Sequence, residues 1–198
     1  MGSKGIAGRR RFLQACGVTS AGLALPRSLA AQELAPTHPC ADSDEATPRQ
    51  MEGPYFKPRS PQRGSLLEPG VSGTGIVLTG AVLSTRCQPV SAALLDFWQC
   101  DDAGDYDNSG FRLRGHQFTG ADGRYRLETI VPGLYPGRTR HIHVKVQAPG
   151  RPVLTTQLYF PGEPSNRNDF LFRRELLLAI RDDGERKLGR FEFVVKLG

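Results

Sequence analysis

His141-Ile142-His143 places two imidazoles one residue apart, with Tyr135 and no acid in the segment just upstream. On an extended strand residues i and i+2 share a face, so both imidazoles point one way while Ile142, Val144 and Val146 point the other, toward a core. Two convergent imidazoles on a rigid strand suit a metal. The same triplet also occurs on ordinary exposed strands, so the neighbours must decide. The usual third ligands, a carboxylate or a cysteine, are absent from this segment. Tyr135 lies upstream in Pro132-Gly133-Leu134-Tyr135-Pro136, and Tyr106 ends the loop Asp101-Asp102-Ala103-Gly104-Asp105. A free phenol titrates near ~10, so a tyrosine binds metal at neutral pH only where a strong Lewis acid such as iron(III) holds the phenolate. The plain alternative for a lone tyrosine is amphipathic packing. For Arg138 it is a surface ion pair, and for Gln157 a hydrogen bond along a sheet.

These residues need strands to carry them, and the pattern supplies strands. Ile76-Val77-Leu78 and Ala81-Val82-Leu83 flank Gly80, and a second strand runs from Ala92 to Trp98. Further strands are expected over Gly115 to Thr119, Tyr125 to Thr129, His141 to Val146 and Thr155 to Phe160. Turn signals at Ala121-Asp122-Gly123, Pro132-Gly133 and Pro149-Gly150 separate them. Short strands at this spacing predict an all-β fold, a β-sandwich with little helix. Phe170 to Ile180 reads as one short helix and Arg190 to Leu197 as a closing strand. Residues 32–74 are rich in Pro, Gly, Ser and charge without a sustained period, and read as an extended N-terminal arm on the sandwich of residues 75–198. The 23 glycines and 15 prolines among 198 residues agree with a turn-rich chain.

The formal net charge of +6 belongs mainly to the first 31 residues. Lys4, Arg9, Arg10, Arg11 and Arg27 lie there with no acid, leaving 21 basic against 20 acidic residues beyond. A nearly neutral body gives no support to nucleic-acid binding. Gly8-Arg9-Arg10-Arg11-Phe12-Leu13-Gln14, a mildly apolar run to Leu25, then Arg27 and Ser28-Leu29-Ala30-Ala31 have the parts of a secretory signal. The paired arginines look like a twin-arginine signal, which uses the machinery that exports folded proteins. The expected location is periplasmic or extracellular, an oxidising compartment for Cys40, Cys87 and Cys100. No spacing is C-x-x-C, so zinc is poorly supported. Cys87 and Cys100 are expected at opposite ends of one strand hairpin, which disfavours their pairing. Cys40 is then one partner of any disulfide, with either of the others.

Taken together the segments resemble the intradiol ring-cleavage dioxygenases. The resemblance is carried by Leu78-x-Gly80-x-Val82, Leu95-Asp96-Phe97-Trp98-Gln99 and Gly104-x-Tyr106. It continues through the Asp122-Gly123 turn, Tyr125-x-Leu127-x-Thr129-Ile130-x-Pro132-Gly133-x-Tyr135-Pro136, Arg138-x-x-His141-Ile142-His143 and Thr156-Gln157-Leu158-Tyr159-Phe160, with Glu52-Gly53-Pro54-Tyr55 upstream. It implies iron(III) held by Tyr106, Tyr135, His141 and His143, with Tyr135 the ligand that leaves when a catechol binds. It also implies that Arg138 stabilises charge on the substrate ring, that Gln157 helps position substrate or oxygen, and that Pro54 and Tyr55 line the pocket. Catechol and dioxygen are then the reactants and a muconate-type diacid the product. His38 and His116 match no ligand position. The link from Tyr135 to His141 is shorter than in familiar members, implying a more open rim. Cys87 stands where the pattern usually has Gly or Ser, which resembles the secreted subgroup. The long N-terminal helical segment of the dimeric catechol enzymes is missing, so their interface is not expected here and any homo-oligomer is left open.

Two rivals remain at this stage. A metal-free exported β-sandwich binding module shares the fold but gives no reason for two tyrosines, two histidines and an arginine in family order. An iron(II) oxygenase needs an acidic third ligand that the His141 segment lacks. The leader carries its own test. Replacing Arg9 and Arg10 together with Lys should retain the protein in the cytoplasm, read by fractionation, and unchanged export of that variant would refute the signal.

Overall fold

Strand edges fall where the alternation of apolar and polar residues begins and ends. A computed structural model describes residues 45–197. The leader, Cys40 and the first part of the arm lie outside the described residues. Nine strands follow the arm: β1 (Gly75–Ser84), β2 (Leu94–Trp98), β3 (Arg114–Phe118), β4 (Arg124–Ile130), β5 (His141–Gln147), β6 (Leu154–Tyr159), β7 (Ala179–Asp182), β8 (Lys187–Arg190) and β9 (Phe193–Val195). One sheet runs β4-β1-β8-β7, with β9 also paired to β1, and the other runs β3-β2-β5-β6. Leu95, Phe97, Ile142, Val144, Val146 and Leu158 on one sheet meet Ile76, Leu78, Val82 and Leu127 on the other, all buried in one core. Because side chains alternate, burying Ile142 and Val144 forces His141 and His143 onto the outward face of the four-stranded sheet.

That outward face is covered by the arm. Gln50 N–H donates to the Thr155 carbonyl (2.8 Å) and Arg63 N–H to the His116 carbonyl (2.8 Å). The Phe56 ring packs edge-on against Trp98 (4.9 Å). Ser60 Oγ donates to Asp96 Oδ1 (2.7 Å), and His116 Nδ1 donates to the Ser60 carbonyl (2.8 Å). His116 therefore anchors the arm.

Two local expectations are corrected. Phe170 to Ile180 forms no α-helix but a single 3-10 turn, Arg174–Leu176, running into β7 at Ala179; an irregular loop separates it from an earlier 3-10 turn at Pro164–Arg167. Leu176 and Leu178 are both buried and Leu178 N–H donates to the Tyr159 carbonyl (2.9 Å). A period-two burial beside β6 has overridden helix propensity. The closing segment is two strands, because β8 pairs with Ile76–Thr79 and β9 with Val82–Ser84. Between them the Phe191 carbonyl leaves the ladder to accept from the Tyr125 hydroxyl (3.0 Å). Of the cysteines, Cys87 is disulfide-bonded and Cys100 is a buried free thiol, so these two are not joined.

The Phe191 carbonyl crosses so close to Gly80 that a Cβ there would overlap it. Gly80→Ala should cost about 1–3 kcal/mol or more. Gly64→Ala, whose Cβ would meet only the Arg126 carbonyl at 3.6 Å, should stay within about 0.5 kcal/mol of wild type. Equal urea midpoints for the two variants would refute the crossing.

Candidate functional site

Register aligns the central residues. Trp98 faces His143 across β2 and β5, and His143 faces Gln157 and His141 faces Tyr159 across β5 and β6. The Trp98 indole stacks on the His143 ring (4.8 Å, 8°). His141 Nδ1 donates to the Thr139 carbonyl (2.6 Å), which fixes its tautomer and leaves a lone pair on Nε2. His141 Nε2 and His143 Nε2 lie 3.1 Å apart, and the Tyr106 hydroxyl is 3.4 Å from His141 Nε2. Burial, reinforced by the Arg138 charge, pushes His141 down to about 4. Burial, the neighbouring His141 and then Arg138 hold His143 well below the ordinary imidazole range. Both rings are therefore neutral at neutral pH, the form in which imidazole binds metal.

The tyrosines arrive on two loops pressed together. Asp101 Oδ1 accepts the Ala103 and Asp105 amides (3.0 and 2.9 Å) and turns the loop ahead of Tyr106. Gly133 N–H donates to the Asp101 carbonyl (2.7 Å). A Cβ at Gly104 would lie 2.5 Å from the Leu134 carbonyl, and one at Gly133 2.5 Å from the Asp102 carbonyl. Only glycine at both positions allows this approach, which sets the Tyr106 and Tyr135 rings edge to face at 5.8 Å. Tyr55 joins them from the arm, stacked on Tyr106 (4.4 Å, 11°) with its hydroxyl 2.9 Å from that of Tyr135. That hydrogen bond, with some burial, raises the Tyr55 phenol. Burial drives the Tyr106 phenol strongly upward, against the pull of Arg138 and Arg114.

Arg138 and Gln157 sit together beside the histidines. Arg138 Nη2 donates to Gln157 Oε1 (2.7 Å) and its Nε to Asp169 Oδ2 (2.8 Å). Gln157 is wholly buried. Its Nε2 donates to the Met51 carbonyl (2.9 Å) and its Oε1 also accepts from the Tyr159 hydroxyl (3.0 Å), so its amide is committed within the protein. Pro54 is exposed beside Tyr55. Sequence reasoning missed Asp169, Tyr159 and Arg114. The Arg114 guanidinium is buried, donates to the Tyr55 carbonyl and to the Asp107 carbonyl (3.0 Å), and lies 6.0 Å over the Tyr106 ring. Tyr159 lies inside the Thr156–Phe160 motif, but the pattern gave it no role; no motif marks Asp169 or Arg114, since each acts through a partner that folding alone supplies.

The donor set fits iron(III). Two neutral imidazoles and a phenol converge where water is scarce, and a phenol raised by burial needs a strong Lewis acid to ionise. Among the described residues no three His, Cys, Asp or Glu gather as a metal cluster, so a two-histidine, one-carboxylate centre has no carboxylate to use.

Known proteins resemble this chain over most of its described residues. The family described as Dioxygenase (Dioxygenase_C) matches residues 51–194. Catechol 1,2-dioxygenase 2 of Acinetobacter lwoffii is 31% identical over 183 residues, covering 78% of this chain and 66% of the relative. Catechol 1,2-dioxygenase of Candida albicans is 29% identical over 171 residues, covering 72% and 54%. The chain thus spans about half to two thirds of these curated relatives. Among solved structures, the dioxygenase domain of a dioxygenase carbohydrate-binding protein fusion from Streptomyces sp. SirexAA-E is 59% identical with a TM-score of 0.76, covering 78% of this chain and 100% of that one.

The neutral histidines make a pH prediction for the metal-free protein. Unfolded imidazoles take up protons below 6.5 while folded His141 resists until about 4. The unfolded state binds more protons in that window, so stability rises with pH across it, by up to about 1.4 kcal/mol per unit for each such histidine. His141→Gln should reduce the slope. Urea unfolding between about pH 7.5 and 4.5 with the same slope in both proteins would contradict the burial argument.

Proposed function

The chain belongs to the intradiol dioxygenase family, and from that premise we propose that it is an exported iron(III) enzyme that cleaves a catecholic ring between its hydroxyl-bearing carbons, with dioxygen, to a muconate-type diacid. The observation that carries the reading is the convergence of His141 Nε2, His143 Nε2 and the Tyr106 hydroxyl within 3.1–3.4 Å on one dry face. Tyr106, Tyr135, His141 and His143 would hold the ion. When bound, iron(III) supplies a Lewis acid that binds the catechol as its dianion and activates the ring toward dioxygen.

The chain's own residues account for the proton and charge handling. Tyr135, a phenolate when it holds the ion, would accept one of the two catechol protons, the other passing to solvent, and its hydroxyl already has a partner in Tyr55 at 2.9 Å. Tyr55 therefore steadies Tyr135 once the substrate takes its place. Arg138 is permanently charged and planar, and held from two sides it can stabilise negative charge developing on the ring. Gln157 contributes by aiming Arg138 and pinning the arm at Met51. Tyr55 and Pro54 form the arm's side of the pocket. The twin-arginine leader suits such a protein, since folding and metal loading precede that route.

Colour tests the assignment. Purified, iron-loaded protein should show a visible tyrosinate band, about one iron per chain, and oxygen uptake with members of a catechol panel. Tyr106→Phe should weaken the band and His141→Ala should lose most of the iron. Anaerobic addition of a cleaved catechol should shift the band as Tyr135 departs. A fully iron-loaded, aerobic sample without a tyrosinate band would falsify the ligand set.

A further inference from the structure

Asp169 lies on the irregular loop between the 3-10 turns, with its side chain 1% exposed. Its Oδ2 accepts from Arg138 Nε (2.8 Å) and from the Thr139 amide (2.8 Å). Its Oδ1 accepts from the Leu171 amide (2.9 Å). The Thr139 unit it grips is the one whose carbonyl receives the His141 Nδ1 proton at 2.6 Å. Thr139 is braced further, its Oγ1 donating to Asn166 Oδ1 (2.6 Å) and accepting from Ser165 Oγ (3.0 Å). One oxygen atom therefore contacts both the Arg138 guanidinium and the residue whose carbonyl fixes the tautomer of His141.

We propose that Asp169 is a positioning residue that sets the aim of Arg138 and, through the Thr139 peptide, the tautomer and angle of His141. This rests on the iron-dependent reading above. The first arm is direct. A guanidinium has several rotamers, and a carboxylate on Nε together with Gln157 Oε1 on Nη2 selects one of them, presenting the remaining edge of the fork. The second arm is a relay. Asp169 fixes the Thr139 N–H, which holds the segment so that its carbonyl stays in line with His141 Nδ1–H. Groups behind a metal ligand typically alter metal affinity or activity by about 10- to 100-fold. The bond to Leu171 is different, since it only shapes Asp169's own loop and would be disturbed by any merely structural loss.

A double-mutant cycle separates these roles. Asp169→Asn removes the charge and leaves one acceptor oxygen for three donors. In iron-loaded protein it should lower kcat about 10- to 100-fold with KM within about threefold of wild type. Arg138→Ala alone should lower kcat about 10²–10³-fold. Adding Asp169→Asn to Arg138→Ala should then cost markedly less kcat than Asp169→Asn costs alone, because the first arm passes through Arg138 and only the His141 arm is left to lose. Loss of iron to a chelator should quicken about 10-fold with Asp169→Asn in both backgrounds, because the Thr139 route does not pass through Arg138. If Asp169→Asn is insoluble, Asp169→Glu, which keeps the charge but displaces it by one methylene, enters the same cycle with the same expectations. Additive losses of kcat would overturn the aiming of Arg138, and unchanged iron release would overturn the relay to His141. The two readings fail differently. A colourless wild type inactive on every catechol tried overturns the proposed function and the role of Asp169 with it, whereas a coloured, active wild type with an additive cycle overturns Asp169 alone.

Discussion

Two neutral imidazoles held with their Nε2 atoms 3.1 Å apart are the arrangement on which the rest of this structure turns. Such a pair is costly to build, because each ring loses water and neither gains a formal counter-charge. It persists because β5 is fixed on both sides, by β2 and by β6, and because Ile142, Val144 and Val146 are wholly buried on its reverse. A one-residue slip would put both histidines into the core and three aliphatic residues into the site. The strand's core packing is therefore also the positional accuracy of the site.

The phenols are placed by a different device. Tyr106 and Tyr135 lie outside the sheet ladders, on loops that would ordinarily be the least precise part of a β-sandwich. Here the Gly104–Gly133 approach brings backbone against backbone, a contact with no side-chain rotamers to average over. Arg114 adds a charge beneath Tyr106 that favours its phenolate, while burial opposes ionisation. The balance leaves a phenol protonated by default and ready to ionise when a stronger cation arrives.

Legibility from sequence followed the range of the interactions. The alternation through His141–Val146 was enough to assign its two faces, and β1 to β6 all fall close to their expected bounds because strand burial has a local period. Phe170 to Ile180 misled because an apolar run is equally a helix face and a strand-like ribbon until its neighbour is known, and β6 is that neighbour. Asp169 was invisible for the same reason. Its partners Arg138 and Thr139 are about 30 residues away in the chain, and no spacing rule connects them. The resemblance implied a pocket-lining place for Tyr55, but nothing in the sequence pointed to its simultaneous contact with two other tyrosines.

The arm shows most clearly why an irregular segment can decide function. Without it, Trp98, His143, Lys145 and Gln157 would form the wet outer face of an ordinary antiparallel sheet. Phe56 closes over Trp98 and carries the Lys145 ammonium on its own ring at 3.7 Å, while Glu52 pairs with that lysine. Met51 receives the Gln157 amide and Ser60 satisfies the half-buried Asp96, whose carboxyl burial raises. Lys145, Gln157 and Asp96 on the sheet face are thus answered by the arm instead of by water, whereas the buried Trp98 Nε1 and His143 Nδ1 have no hydrogen-bond partner among the described residues. The burial that depresses both histidines and raises Tyr106 depends on this cover, since excluding water disfavours the charged form of each group. An arm with no helix or strand among its described residues converts the back of a sheet into a place where a phenol and two imidazoles can act together.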